Sequence, residues 1–447
     1  MKTTKISFSA VGDMLIQRLI PTDTPAFQEI KEYICRADAR FFNLETTLHR
    51  GGHYGNQFNG GSFHRSDPKV LDIAKEYGFN MASFANNHTF DYGYGGLEST
   101  LDAFNDAGFV HTGVGTNLDE AAAPAYLETY EGRVALISMT ASFVNEAALA
   151  GRQSRRVPGR PGVNGLRIDE RIEVPAAHFA VPQDVAENSG VNAAAAISRA
   201  EGYLPLKENH NEVEFGTQKL KFVAGEKLQY HTSCNREDMA RLEQSIIEAQ
   251  AQADCIIVSI HAHQVGGSAK ESVPAFLEEF AHRAIDLGAH AVIGHGPHLL
   301  RPIEIYKNRP IFYSLGDFFL HNESFNYAPE DFFAKYGLTS DDPLCEVYRR
   351  RSRNYTCGLL TDSRMLEAVI PYFEIENGEL TCLELLPIEL GIDEPRYRIG
   401  TPSVCFERGI IERLAEMSRP YGTTISVDEK GHGIVDLENS KPSIEEV

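Results

Sequence analysis

The chain has no tryptophan, no Cys-x-x-Cys pair and no apolar run of the roughly 18 residues that a membrane-spanning helix needs. At the amino terminus Lys2-Thr3-Thr4-Lys5 passes directly into Ile6-Ser7-Phe8-Ser9-Ala10-Val11, without the apolar segment of a secretory signal. The seven cysteines (Cys35, Cys234, Cys255, Cys345, Cys357, Cys382 and Cys405) are odd in number and widely scattered, which argues against a disulfide framework and against a thiolate zinc site. A reducing, cytoplasmic setting without a membrane span is expected. Basic residues are also scarce, 42 against 63 acidic ones, for a net charge of −21. A surface with that balance repels phosphate-rich partners, so no nucleic acid and no anionic lipid surface is expected to bind it generally.

What is present is ordinary for a folded protein: 447 residues, 42% of them hydrophobic, with 37 glycines. At roughly 100–200 residues per domain that length allows two to four domains, or one large α/β body with insertions. Strand-like and helix-like segments alternate. Ile6 to Val11 reads as a strand delivering Gly12-Asp13, Thr24 to Arg36 as a helix, and Ala39 to Glu45 as a second strand delivering an acid. Pro68 to Tyr77 has helical spacing stopped by Gly78, and the strand that follows ends at Asn86-Asn87-His88. Helical spacing recurs at Gly95 to Ala107, Arg236 to Ala253 and Val273 to Leu287. Between and after these lie apolar runs that end at Met139, His261, His295 and Gly316-Asp317. Residues 146–235 break the rhythm with arginines set among prolines and glycines, and are expected to form an inserted loop region or small cap. A core domain is therefore expected over 1–325, with that insert. Residues 326–447 would form an extension packed on it, containing one or two strands (Ala368 to Phe373, Leu380 to Leu386), a helix at Ser403 to Arg419 and a solvated, partly disordered tail.

Five expected strands end in Asp13, Glu45, Asn87-His88, His261 and His295-x-x-His298, and ligands of open α/β sheets gather where strand carboxyl ends converge. Oxygen donors from Asp13, Glu45 and Asn87, with imidazoles from His261, His295 and His298, suit one or two divalent ions such as Mn, Fe or Zn. Calcium or magnesium would not need the imidazoles. A carboxylate shared between two ions makes a site that polarises substrate and generates hydroxide near neutral pH. A lone strand-end histidine is commonly structural, but a set of six donors at successive strand ends points to a metal.

The segments Gly12-Asp13, Asn43-Leu44-Glu45, Asn86-Asn87-His88-Thr89-Phe90-Asp91, Ser259-Ile260-His261, Gly294-His295-Gly296-Pro297-His298 and Tyr313-Ser314-Leu315-Gly316-Asp317-Phe318 follow one another along the chain. In that order they resemble the motifs of the CapA family, the poly-gamma-glutamate capsule biosynthesis type proteins of the calcineurin-like metallophosphatase superfamily. The resemblance covers about residues 5–325 and implies an α/β fold of four layers, an αββα sandwich with two mixed sheets between helices. It also implies a two-metal site in which Glu45 bridges, Asn87, His261 and His295 hold one ion, and Asp13 and His298 hold the other. His88 takes the place of the superfamily's non-ligand acid/base. The sequence departs from the superfamily where Asp-x-His becomes Asp13-Met14-Leu15, removing an imidazole, and where Glu45 replaces an aspartate and lengthens the carboxylate arm by one methylene.

The activity so implied is hydrolysis of an anionic peptide or poly-gamma-glutamate-like chain by metal-activated water. Open alternatives are a phosphoesterase, a metal-dependent peptide epimerase with His88 as the base, and a non-catalytic assembly factor for poly-gamma-glutamate synthesis. Arg155, Arg156 and Arg160 are the candidate contacts to an anionic substrate, because guanidiniums bind carboxylates in bidentate fashion. The run Tyr348-Arg349-Arg350-Arg351-Ser352-Arg353 invites the same idea but reads more simply as a surface cluster or helix end. His64 is a candidate substrate contact, and Asp317 a candidate for orienting a metal-binding imidazole. A homo-oligomer is left open.

Overall fold

Strand Lys5–Leu15 is buried along most of its length, and the fold is arranged around it. Its carboxyl half runs parallel to Ala39–Leu44 and to Asp317–Leu320, while its amino half pairs antiparallel with Glu367–Glu376. The computed structural model describes residues 4–206, 212–216 and 220–440. From Ala39–Leu44 the sheet continues in parallel through Met81–Ser83 and Val110–Thr112. From Glu367–Glu376 it continues antiparallel through Glu379–Glu389, Gly433–Val435 and Ile425–Val427. A second sheet places Arg133–Thr140, Cys255–His261, Ala291–His295 and Arg309–Phe312 in parallel, with Ala125–Glu128 and Ile303–Tyr306 as antiparallel edges.

Successive strand residues face opposite sides, so one strand serves two cores. Phe8, Ala10 and Phe41 of the first sheet share a buried cluster with Leu136, Ile257 and Ile293 of the second. Their chain neighbours Val11 and Phe42 turn the other way. They pack against Phe27, Ile30 and Ile34 of helix Pro25–Ile34, Ala74 of helix Val70–Glu76, and Leu97 and Phe104 of helix Gly93–Ala107. Each such side chain, fully buried, contributes about 1.5–3 kcal/mol. The fold class is mixed α/β.

Residues 166–239 with 274–280 make a compact unit of their own, and the remaining described residues make the other. The smaller unit holds strands Glu212–Val213, Lys221–Gly225, Ile168–Pro175 and Gln229–Cys234 in one sheet, with helices Ala176–Asn188 and Ala193–Ala200. Within it Arg167 grips Asp238 through Nε and Nη2, both at 2.9 Å. Regular structure therefore runs through much of the region expected as an inserted loop region or small cap.

Two further expectations change. Asp317 does not close a strand; it opens Asp317–Leu320, where it pairs with Asp13. The expected helix from Ser403 begins only at Gly409, because Ser403–Val404 instead forms a strand on Glu389 and Ile388. Residues 441–447 of the expected tail lie outside the described residues. Among the described residues no helix is long and apolar enough to cross a membrane. All seven cysteines are free.

Gly12 lies where the first strand crosses the turn before Asp317. A Cβ on Gly12 would stand 1.9 Å from the Gly316 carbonyl oxygen, the same oxygen that accepts the Asp13 N–H at 3.2 Å. Gly12→Ala is expected to cost about 1–3 kcal/mol of stability in urea denaturation, the usual range for forcing an extra methyl into a packed site. A variant as stable as the parent would show that this contact opens without strain.

Candidate metal centre

The parallel register sets His261 beside His295, and Asp13 between Asn43 and Asp317, so donors from four strands meet at one end of the two sheets. Close approach depends on glycine. A Cβ on Gly294 would meet the Tyr313 carbonyl oxygen at 2.5 Å, and Gly296 holds φ +117° against Ala262. That conformation aims the Gly296 N–H at Asp13 Oδ2, 2.7 Å away. His298 itself has φ +59°, a left-handed conformation that costs a non-glycine residue about 1–2 kcal/mol. Its Nδ1 lies 2.9 Å from Asp317 Oδ1, which fixes the ring.

Asp13 Oδ1 accepts from Asn43 Nδ2 at 2.7 Å and lies 3.3 Å from both His261 Nδ1 and His295 Nδ1. Those two ring nitrogens are 2.9 Å apart. On its other side His261 Nε2 is 2.8 Å from Asn87 Oδ1 and 3.0 Å from His263 Nε2. Three overlapping groups have the spacing of metal ligands: Asp13 with His261 and His295; Glu45 with His261 and His263; and Asp13, Glu45, His298 and Asp317 together.

Glu45 provides the test of whether a cation fits. It is fully buried, and neither carboxylate oxygen has a hydrogen-bond partner. The nearest nitrogens stand off, His261 Nε2 at 3.6 Å, His263 Nε2 at 3.7 Å and His298 Nδ1 at 3.8 Å. Burial, followed by the charges of Asp13, Asp317 and Asp91, pushes the Glu45 carboxyl well above its ordinary range. An unpaired buried carboxylate costs several kcal/mol, and a divalent ion among these oxygens and imidazoles removes that cost. The residues present therefore fit a metal.

Electrostatics differ among the partners. Burial works to raise Asp13, but His261 and His295 hold it well below the usual carboxylate range. Asp317 is pushed up to about 6, chiefly by burial. Burial works to lower His298, but the charge and hydrogen bond of Asp317, with the Asp13 charge, together raise it. Burial lowers His261 to about 4, and it also lowers His263.

Beside these donors, His88 is buried, with Nδ1 2.6 Å from Asp91 Oδ2. Asp91 also accepts the Gly60 and His64 backbone N–H groups at 2.9 and 2.7 Å. Burial, with the His298 and Arg351 charges, takes His88 down to about 3, so its ring is neutral at pH 7. His64 stands edge-on to His88 at 4.2 Å and is buried, with Nε2 2.8 Å from Ser62 Oγ. A cavity of about 150 Å³ opens at Asn87, lined by Asn56, Phe58, Asn86, Phe90 and Phe143 among others, none of them charged.

Asp13, Glu45, Asn87, His261, His295, His298 and Asp317 thus come together, with His88 and His64 alongside. Arg155 and Arg156 are exposed in the turn closed by Ser154 and Val157, and Arg160 Nε donates to the Leu149 carbonyl. Three participants escaped the sequence reading. His263 follows the end of its strand by two residues, and the spacing His261-x-His263 was its signal. Asp91 stands three residues after His88, one helical turn. Arg301 is fully buried and donates to the Gln264 and Lys270 carbonyls, bracing the segment that carries His263; nothing in its local sequence marks it.

Similarity to known proteins places this chain with the CapA family, which belongs to the metallophosphatase-like superfamily. The model of the family "Bacterial capsule synthesis protein PGA_cap" matches residues 7–322, and the chain belongs to that family. It is 32% identical over 444 residues to the uncharacterized protein y4sH of Sinorhizobium fredii, covering 94% of this chain and 91% of that one. It is 24% identical to the capsule biosynthesis protein CapA of Bacillus anthracis, over 70% of this chain and 59% of that one. It is 27% identical to a probable polyglutamine synthesis accessory protein of Mycobacterium tuberculosis, over 63% of this chain and 55% of that one.

Two outcomes are expected. In metal-stripped protein Glu45→Gln raises the unfolding midpoint, since it removes the cost of burying an ionisable carboxyl without a partner, and the variant loses most of the stabilisation that Mn²⁺ gives the parent. If neither Mn²⁺, Fe²⁺ nor Zn²⁺ moves the parent's midpoint, the donors do not form a metal site. The second outcome concerns acid. His88 and His321 are held at about 3 and His290 at about 4, against 6.5 when exposed, each chiefly by burial. The unfolded chain takes up these protons as pH falls through 6.5 while the folded chain does not. Stability is therefore full above that pH and falls by about 1.4 kcal/mol per pH unit for each such histidine down to the folded value. Urea midpoints measured from pH 7 to pH 4 check the slope.

Proposed function

We propose that the chain is a metal-dependent hydrolase that cleaves an amide bond in an anionic, poly-gamma-glutamate-like substrate. The observation that carries this reading is His88: it is not needed to hold an ion, yet it is buried, neutral and oriented by Asp91 next to the metal-facing amide of Asn87. With Nδ1–H turned to Asp91, Nε2 is the basic nitrogen, placed to take a proton and return it to a leaving amine while Asp91 balances the imidazolium. In this reading Glu45 is shared between two sets of donors, Asn87, His261 and His295 on one side and Asp13 and His298 on the other. His263 supplies the imidazole that Asp13-Met14-Leu15 lacks. Asp317 orients His298. Bound Mn, Fe or Zn would acidify water and polarise a carbonyl oxygen.

The capsule and polyglutamine synthesis names of the relatives support an amide-linked acidic polymer as substrate. The free cysteines support a cytoplasmic location. We also propose the αββα arrangement. Ile256, Val258 and Ile260, which face away from the shared core, are buried, so that face must be covered, and the helical stretches 240–250 and 281–287 of the same compact unit are the covering layer. Residues 1–325 would carry the metal centre, with 326–447 as an extension of it.

With the protein loaded with Mn²⁺, poly-gamma-glutamate is expected to be shortened, and His88→Ala to slow this by about 10²–10⁴-fold with bound metal unchanged by elemental analysis. A phosphodiester and a phosphomonoester run alongside. Cleavage of those alone makes the protein a phosphoesterase, and inertness towards all three removes the hydrolase reading.

A further inference from the structure

The cavity at Asn87 has no charged lining residue, so an anionic group of the substrate has to be met elsewhere around the centre. Among the described residues, Lys270 and Arg351 are cations whose charge acts on groups of the centre. Lys270 acts on Asp317, Glu45 and His298, where its charge is absorbed by carboxylates. Arg351 has different surroundings.

Arg351 ends helix Leu344–Arg351, beyond the stretch that matches the family model. Val347 and Tyr348 form the buried face of that helix, in one cluster with Phe63, Tyr92 and Phe325. Phe63 is the chain neighbour of His64, and Tyr92 that of Asp91. Tyr348 Oη donates to the Phe325 carbonyl at 3.1 Å, and the Phe325 ring lies 5.5 Å from that of His64, which in turn touches His88. The last turn of the helix is thereby fixed to the wall that carries His64 and His88. Residues three and four apart share a helix face, so Arg351 falls on the same face as Tyr348 and Val347.

Its neighbours do not. Arg349 is exposed and bound to Glu346 and Asn354, and Arg350 is exposed and bound to the Tyr336 and Gly337 carbonyls. Arg351 is half-buried, and among the described residues its guanidinium has no hydrogen-bond or ion-pair partner. A basic residue in a last helical turn is commonplace; a half-buried one turned inward with every donor free is not. Its charge is felt by both His64 and His88, each of which it helps to hold in the neutral form.

We propose that Arg351 is the oxyanion-binding residue of this site, taking a substrate carboxylate on the His64–His88 side of the metal centre, in place of the insert arginines. This rests on the hydrolase reading for the identity of the substrate but not for the existence of the anion site. Substrate recognition is then supplied by the C-terminal extension, outside the family-matched region.

The test uses full-length protein loaded with Mn²⁺ and titration calorimetry with three probes: an oligo-gamma-glutamate, the same oligomer with its free carboxylates converted to carboxamides, and inorganic phosphate. Arg351→Gln is expected to weaken oligo-gamma-glutamate binding about ten- to a hundredfold, the size of a lost charge-assisted bidentate contact. Metal content and unfolding midpoint should stay unchanged, and Arg351→Lys should recover part of the loss. The carboxamide oligomer should bind weakly and equally to parent and Arg351→Gln, and Arg349→Gln should behave as the parent. If phosphate alone shows the Arg351 dependence, the oxyanion is a phosphate and the site stands. If Arg351→Gln binds every anion as the parent does, or the parent binds none, the proposal is overturned. Arg351-dependent binding without any cleavage leaves the anion site in place and removes only the hydrolase reading.

Discussion

Three carboxyl groups, Asp13, Glu45 and Asp317, are packed into one water-excluded cluster, and the protein supplies too little positive charge to balance them. Asp13 is satisfied by Asn43, Gly296 and two imidazoles, and Asp317 shares His298. Glu45 is left with nothing. A chain without a cation to bind would gain stability by replacing such a residue with a neutral one of similar size. The fold instead buries it and surrounds it with imidazoles at distances too long for hydrogen bonds and suited to sharing an ion. This local deficit of positive charge gives the strand ends, the glycines and the strained His298 a common purpose.

That deficit also dictates backbone shape. Bringing Asp13 within reach of His261 and His295 requires the first strand to touch the turn before Asp317, and only a residue without a Cβ permits the contact at Gly12. Gly294 and Gly296 do the same on the second sheet, one by close packing and the other by its positive φ. Parallel pairing contributes the remainder: a one-residue slip between Cys255–His261 and Ala291–His295 would turn one histidine out of the cluster. Precision at the centre thus comes from register and close packing in the two sheets. His88 and His64 lie on loops, and their positions depend on Asp91 and on the aromatic cluster behind them.

Most of the donor set was legible because parallel strands buried on both faces leave apolar runs in the sequence, and a polar residue at the end of such a run stands out. Asp13, Glu45, Asn87, His261 and His295 were all found that way. His263 was not, because it lies past the strand, where no periodicity remains to give it a direction. Asp317 was located but assigned to a strand end, since after Gly316, at φ +77°, the chain leaves the second sheet and starts a new strand of the first that only its pairing to Asp13 reveals. Ser403–Val404 has the composition of a helix start, and long-range pairing with Ile388 and Glu389 overrides it. The sheet of the smaller unit was missed for a related reason: Ile168–Pro175 carries charged residues on a half-exposed strand, so its apolar signal is thin. Arg351 shows the limit of charge patterning. Three consecutive arginines look equivalent in sequence, and only the aromatic cluster distinguishes the one that turns inward.

The centre is polarised as a consequence. Carboxylates, with Lys270 among them, occupy the side formed by Glu45, Asp13 and Asp317. His64 and His88 are held neutral, and both feel the Arg351 charge. A cation near His88 is usually unfavourable for an acid/base residue that must become imidazolium, because like charges at short range raise the cost of protonation. A substrate oxyanion on the guanidinium, as proposed, would remove that contribution, while burial and the His298 charge continue to hold the ring down. In the proposed reading, anion binding and the basicity of His88 are linked through the Arg351 charge. In that reading a filled site removes one of the charges that keep His88 weakly basic and so raises its affinity for a proton, with burial still the larger influence.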